Sequence, residues 1–389
     1  MKVLMINVVC GIRSTGRICT DLAAALEAQG HEVKIAYGRE HVPEQFQKYA
    51  VRIGNDLDVK LHGVKARLFD AAGFGSKAAT KRFIEWVKEY DPDVIHLHNI
   101  HGYYINIEVL FDYLKTCGKK IIWTLHDCWA FTGHCTYFTV AKCENWKTHC
   151  RNCPQFREYP ASLFSDRSKE NFERKKELFT GIDDMTLVTP SGWLANLVKQ
   201  SFLKDYPVEV VYNGIDTNVF KPTESNLREK MGLVNKKVIL GVASVWDARK
   251  GLNDFFALQK RLNPEEYQIV LIGLSKKQLR ALPEGIIGLT RTDSVQQLAQ
   301  WYSLADVFVN PSLEETFGLT TLEALKCGTM AIVYEDTACE EVAKMYGGVV
   351  VPMGDVEKIA GLITAMPTFE RISTNVGYQH AVGKYLALY

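Results

Sequence analysis

The stretch of this 389-residue chain richest in candidate chemistry is Pro311-Ser312-Leu313-Glu314-Glu315-Thr316-Phe317-Gly318-Leu319-Thr320-Thr321-Leu322-Glu323-Ala324. An apolar strand ends at Asn310, two carboxylates follow in a turn, and Gly318 lets a helix begin with its amides exposed. Such a helix start offers free N–H groups and a partial positive charge to phosphate oxygens. Glu315 is expected to point into the same pocket from the preceding loop, while Glu323, about one and a half turns into the helix, reaches back to a polyhydroxyl group. Carboxylates accept the paired hydroxyls of a sugar or ribose well. The plainer alternative is an acidic helix start that only complements the helix dipole.

A second turn, Val245-Trp246-Asp247-Ala248-Arg249-Lys250-Gly251, places two adjacent cations at the start of a helix. Arg can grip a diphosphate with its fork and Lys as a point charge, although a solvated pair beside a glycine turn reads equally well. Near the start, Cys10-Gly11-Ile12-Arg13-Ser14-Thr15-Gly16-Arg17 leads from a strand into a helix and could bring backbone amides against an anion. It lacks the three-glycine dinucleotide fingerprint, and a tight structural turn stays open. His126 closes another strand, where an imidazole can donate to a substrate oxygen, and a purely structural histidine reads equally well. Asp91-x-Asp93 precedes a strand and reads as a strand-entry turn rather than a metal pair.

These turns need strands to hold them, and strand-like apolar runs recur at Val3–Val9, Glu32–Tyr37, Val94–His98, Lys120–Leu125, Thr186–Thr189 and Val208–Tyr212. They continue at Val238–Ala243, Gln268–Ile272, Val307–Val309, Met330–Val333 and Val349–Val351, with amphipathic segments between. Nearly continuous apolar runs are those of parallel strands covered on both faces, so the fold class is α/β with two doubly wound, Rossmann-like domains facing a cleft. Ser14 or Thr15 is expected to cap a helix through Ala28 that stops at Gly30, and Asp355 to start one reaching about Ala365. The domain boundary is placed near Asp205–Pro207, giving an acceptor-side domain 1–205, completed by 370–389, and a donor-binding domain 206–369.

Composition narrows the function. Lys plus Arg number 46 against 45 Asp plus Glu, a balance that argues against nucleic acid as the main partner. Basic residues lead 28 to 24 up to Asp205 and trail 18 to 21 after it. No apolar stretch approaches the ~20 residues of a membrane span, and no cleavable leader is evident, so a cytoplasmic location is expected. Four of the ten cysteines crowd together at Cys135, Cys143, Cys150 and Cys153.

With these residues in view, the chain resembles the GT-B glycosyltransferases, specifically the retaining, nucleotide-sugar-dependent family 4. The resemblance runs in order through Gly11–Gly16, His96-Leu97-His98, His126-Asp127, Thr189-Pro190-Ser191, Asn213-Gly214-Ile215-Asp216 with Phe220 and Pro222, Arg249-Lys250-Gly251, Ala305-Asp306-Val307-Phe308-Val309 and Glu315-x7-Glu323. It implies transfer of a sugar from a UDP- or GDP-type donor to a glycan acceptor, lipid-linked, in surface-polysaccharide assembly. By resemblance, Glu315 contacts the donor sugar, Glu323 the ribose, and Arg249 with Lys250 clamps the diphosphate, helped by Gly318, Leu319 and Thr320. Gly11, Gly16 and Phe317 join the donor site, the nucleobase lies near Gly288–Arg291 with Arg291 beside it, and His126 reaches the sugar near its reacting carbon. The Gly-Arg pair often found before the clamp is replaced by Gly241-Val242-Ala243-Ser244-Val245, which places more weight on Arg249 and Lys250. The family implies no catalytic metal. A nucleotide-sugar epimerase of the same fold and a non-catalytic sugar-nucleotide module are the rival readings. The final segment resembles a terminal helix that crosses back onto the first domain.

Gly133-His134-Cys135 through Cys143, Trp146, Cys150 and Cys153-Pro154-Gln155 resembles an insertion found in a subset of these enzymes. Its spacing leaves open both a structural zinc site and plain reduced thiols. Lys60, Lys65, Arg67, Lys77, Lys81 and Arg82, interleaved with Leu61, Val64, Leu68, Phe69 and Phe83, suit peripheral contact with an anionic membrane face, or else form a solvated helix surface.

Overall fold

The computed structural model describes residues 1–365 and 377–389. The chain divides into two units, Met1–Tyr212 with Tyr378–Tyr389, and Asn213–Gly377. In chain order the first unit runs β1 (Lys2–Ile6), α1 (Arg13–Ala28), β2 (Glu32–Tyr37), β3 (Ala50–Arg52), α2 (Asp56–Phe69), α3 (Lys77–Tyr90) and β4 (Val94–Leu97). It continues α4 (Ile107–Leu114), β5 (Lys120–Thr124), α5 (Ser168–Phe179), β6 (Met185–Thr189), α6 (Gly192–Val198) and β7 (Val208–Val210).

The seven strands form one parallel sheet in the order β3-β2-β1-β4-β5-β6-β7. Strands β1 and β4 explain their own placement: Val3 to Ile6 and Val94 to Leu97 are buried on both faces, as helix-covered parallel strands require. Val208, expected to open the second domain, instead belongs to the seventh strand of the first sheet, so the first unit extends to Tyr212.

The second unit holds α7 (Leu227–Lys230), β8 (Lys237–Val242), α8 (Leu252–Gln259), β9 (Tyr267–Ile272), α9 (Lys276–Arg280), β10 (Ile286–Leu289) and α10 (Val295–Leu304). Then come β11 (Val307–Asn310), α11 (Leu319–Lys326), β12 (Met330–Tyr334), α12 (Ala338–Tyr346), β13 (Val349–Val351) and α13 (Val356–Ala365). Its six parallel strands are ordered β10-β9-β8-β11-β12-β13.

In both sheets the strand order reverses once, beside β1 and β4 in the first and beside β8 and β11 in the second. Loops on either side of such a reversal leave in opposite directions and open a crevice at the carboxyl ends of the strands. The fold therefore brings together the turns after β8 and β11, which carry Arg249-Lys250 and Glu314-Glu315.

Local details differ from expectation at α1. Its N-cap is Ile12 and no side chain caps it. Ser14 and Thr15 lie inside the first turn, because the amide of Gly11 donates to the carbonyl of Gly16 at 3.1 Å and draws the helix entrance back. Asp355 does cap α13, accepting from the amide of Lys358 at 2.9 Å. Asp93 accepts the amide of Lys2 at 2.7 Å and Asp91 pairs with Lys119 at 2.6 Å, so both serve strand entry.

Residues 370–376 of the expected terminal helix lie outside the described residues. The described part, α14 (Tyr378–Leu388), packs on α1 through Val382 and Tyr385 within the first unit. Tyr385 shares a hydrogen bond with Thr124 at 3.1 Å, and Tyr389 with His96 at 2.6 Å.

Candidate active site

In the second unit, Asp247 organises the turn after β8. Its Oδ1 accepts the amides of Arg249 at 3.0 Å and Lys250 at 3.2 Å, and its Oδ2 holds Arg249 Nη2 at 2.8 Å. Gly251 ends this turn at φ +69°, and a Cβ there would stand 2.3 Å from the Pro311 carbonyl oxygen. The close approach lets the amide of Leu313 donate to the Arg249 carbonyl at 2.7 Å, binding the two turns to each other. Across that junction Lys250 Nζ meets Glu315 Oε1 at 2.5 Å, and Arg249 Nη1 lies 4.0 Å from the buried Glu314 carboxylate.

Helix α11 begins on Gly318 at φ +86°, where an added Cβ would come within 2.5 Å of Cys339 Sγ. No side chain caps this start. The first backbone bonds of the helix run from Thr321 and Leu322 to Gly318, which leaves the amides of Leu319 and Thr320 at its mouth. Beneath them Asn310 donates to Thr321 Oγ1 at 2.9 Å and Ser312 to Asn310 Oδ1 at 2.6 Å, fixing the end of β11.

Glu323 is buried and accepts a hydrogen bond from Tyr302 of α10 at 2.9 Å. Its carboxylate is thus held by the protein, oriented from the side of α10. Phe317 is buried in the same loop, while Arg291 is exposed beyond β10.

In the first unit His126 follows β5. Its Nε2 lies 3.0 Å from His98 Nδ1, and the two rings stack with centroids 5.3 Å apart. Enclosure pushes the His126 pKa down to about 4, against the pull of Asp127, so the ring is neutral at pH 7. A neutral imidazole can donate through one nitrogen and accept through the other. Gly11 lies in the turn after β1, the neighbour of β4 in the sheet, and Gly16 in the first turn of α1.

The structure also supplies partners that the sequence did not single out. Asp247 stood in the quoted run without a role, and an Asp two residues before paired cations is a turn-capping signal. Tyr302 carries no local signal, and His98 stood in its quoted motif without a role, since their relation to Glu323 and His126 depends on packing between separate elements.

The cysteine insertion draws its thiols together. Cys135 and Cys153 are hydrogen-bonded, and that bond is the largest influence lowering Cys153 to about 7. Cys150 Sγ accepts the amide of Gly133 at 3.2 Å and lies close enough to Cys143 and Cys153 for their charges to interact. Yet among the described residues no three His, Cys, Asp or Glu side chains are arranged to hold a metal ion. Lys175 is buried beside this cluster, donating to the carbonyls of Trp129 at 2.8 Å and Thr132 at 3.1 Å. Burial drives its pKa down to about 7, with Cys150 and Cys135 acting in the opposite sense.

Solved structures share this architecture over the whole chain. Sucrose-phosphate synthase from Thermosynechococcus elongatus aligns with TM-score 0.67 and 17% identity, covering 100% of this chain and 94% of that one. Alr3699/HepE of Anabaena, solved in complex with UDP and glucose, aligns with TM-score 0.63 and 15% identity at the same coverages. Two parallel doubly wound units of this kind define the GT-B class of fold. A family profile described as Glycosyltransferase Family 4 matches residues 15–219, and one described as Glycosyl transferases group 1 matches residues 236–366. The chain belongs to glycosyltransferase family 4 and is a glycosyltransferase. Among its relatives is a protein of Escherichia coli strain K12 described as a colanic acid biosynthesis glycosyl transferase, WcaC, 25% identical over 93% of this chain and 90% of that one.

Proposed function

We propose that this glycosyltransferase moves a sugar from a UDP- or GDP-type donor to a lipid-linked glycan in surface-polysaccharide assembly, with retention of anomeric configuration and no catalytic metal. The observation that carries the donor assignment is the junction of the turns after β8 and β11, where Lys250 meets Glu315 beside Arg249 and the uncapped start of α11. The colanic acid relative supports the polysaccharide setting, and the UDP-bound neighbour of the same fold supports the donor type.

In this reading the diphosphate enters against Arg249, Lys250 and the first amides of α11. These fixed charges stabilise the nucleoside diphosphate as the bond from the anomeric carbon to phosphate oxygen breaks. Glu315, released from Lys250 by the incoming phosphates, accepts sugar hydroxyls, and Glu323, oriented by Tyr302, accepts those of the ribose. The acceptor oxygen bonds to the same face of the anomeric carbon, and its proton passes to the departing phosphate. His126 is assigned a hydrogen bond to the sugar.

An epimerase would convert the donor with no acceptor present, and the relatives lend that alternative no support. Thermal-shift screening against UDP-, GDP- and ADP-sugars tests the donor reading. A cognate donor at 100 times its dissociation constant should stabilise the protein by about 2.7 kcal/mol, whereas no shift with any of them would refute it.

The cysteines carry a separate proposal, a structural zinc. A tetrathiolate zinc centre is net negative, and the adjacent Lys175 ammonium and Gly133 amide have the charge such a centre needs. The thiols form hydrogen-bonded contacts instead of a ligand set, so zinc binding requires their side chains to rotate. Metal analysis should find about one zinc per chain, and chelation should lower the melting temperature. Metal-free protein indifferent to chelator would remove the site.

A further inference from the structure

Helix α2 buries one side and leaves the other bare. His62 and Ala66 face the core, while Leu57, Leu61 and Val64 are 62%, 61% and 53% exposed. At 100° per residue, those three and the partly exposed Leu68 fall within an arc of about 60° on the outward side. The same projection puts Lys60 and Arg67 on one flank of the stripe and Lys65 on the other, and all three are exposed. Phe83, expected among the exposed apolar residues, is instead in the core at 5% exposure.

A second segment extends the apolar surface. The amide of Leu163 donates to the Arg67 carbonyl at 2.8 Å, and Ser165 Oγ to the Leu68 carbonyl at 3.2 Å, so residues 163–165 lie against the end of α2. There Leu163 is 53% and Phe164 77% exposed, beside Phe69 at 54%. Next to the stripe a cavity of about 430 Å³ is lined by Leu61, Lys65, Lys77 and Arg167, along with Arg174, which is paired with Glu108. The acidic groups on this side are already engaged: Asp58 closes the capping box of α2 with Asn55, and Asp56 pairs with Arg52.

We propose that the outer face of α2 and the Leu163-Phe164 tip form one docking surface for an anionic phospholipid bilayer. The apolar stripe enters the acyl boundary, and Lys60, Lys65, Arg67, Lys77 and Arg167 meet headgroup phosphates. The stripe and its cationic flanks have the arrangement of a helix lying in the membrane interface. No helix among the described residues is long and apolar enough to cross a membrane. This deepens the lipid-linked reading above and rests on it for its purpose, although the contact itself needs neither donor nor acceptor.

Vesicle flotation of the full chain tests it. The protein should float with an equal mixture of phosphatidylcholine and phosphatidylglycerol, stay down with phosphatidylcholine alone, and release as salt is raised. A Leu163→Ser/Phe164→Ser double variant and a Lys60→Glu/Arg67→Glu double variant should each lower the bound fraction about tenfold, with unchanged melting temperature. Equal recovery with neutral vesicles, no flotation, or undiminished binding of either double variant would overturn the surface. So would a dimer in solution that the Leu163→Ser/Phe164→Ser variant dissociates, since that face would then join two copies of the chain. Donor-induced thermal shifts are read on the same proteins, and their loss would count against the transferase site rather than this surface.

Discussion

Replacing Lys250 with alanine is expected to lower sugar transfer about a thousandfold, roughly 4 kcal/mol of leaving-group stabilisation, while the second unit stays folded. The Lys250–Glu315 contact at 2.5 Å is a partly exposed pair, with side chains 22% and 18% accessible, so its own worth to stability is modest, on the order of 1 kcal/mol. Its worth to catalysis should be larger, because leaving-group charge develops where Lys250 is already anchored by the Asp247 turn. Glu315→Ala should lose activity too, and the double variant separates the two roles. If the pair only braces the loops, each single variant melts earlier, the double variant melts no later than either, and transfer falls only as far as stability does. If both residues serve the donor, the double variant regains stability without regaining transfer. Rates near wild type in either single variant would refute the site.

How much of this was readable beforehand depends on burial. Strands such as Val94–Leu97 and Val307–Asn310, covered on both faces, stand out as apolar runs. The two strands that escaped, Ala50–Arg52 and Ile286–Leu289, are both sheet edges with partly exposed residues, and one carries Gly288 in its middle. Val208–Val210, also an edge strand, is legible as a strand but not as to its sheet, because membership is decided by the pairing of Leu187 to Thr189 with Val208 to Val210. The same limit applies at the candidate site. Residue types there are informative, but the contact between Lys250 and Glu315 follows from β8 and β11 lying side by side across a chain crossover. Glu323 shows the converse: helical position alone leaves it poised for a ligand, and only packing reveals that Tyr302 already holds it.

Acid should unfold the first unit well before the second. All ten histidines of the chain lie in the first unit, at positions 31, 41, 62, 96, 98, 101, 126, 134, 149 and 380. Four of them are enclosed as neutral rings, among them His126, lowered to about 4 by its enclosure. His62 accepts the amides of Gly73 and Gly75 on Nε2 and shares Nδ1 with Ser76, and burial lowers its pKa from 6.5 to about 4. His96, bridged between Tyr389 and Thr124, is lowered by burial to about 3. His98 is lowered further by the same cause, with His96 and His126 adding to it. Each takes up its proton near pH 6.5 only when unfolded, so the unfolded state binds more protons below that pH and stability falls as the solution is acidified. At pH 5 the loss is about 2 kcal/mol per histidine, or roughly 8 kcal/mol for the four, against the 5–15 kcal/mol of a typical domain. His134 opposes this: although burial lowers it, its bond to Asp70 leaves the pKa raised, so its contribution is fully present below 6.5 and is lost only above. One histidine against four leaves the balance strongly acid-sensitive. Hydrogen exchange at pH 5 should therefore show protection lost across residues 1–212 and retained across 213–365. Equal protection at pH 5 and 7.5 in the first unit would mean that these rings can take up protons without opening the fold.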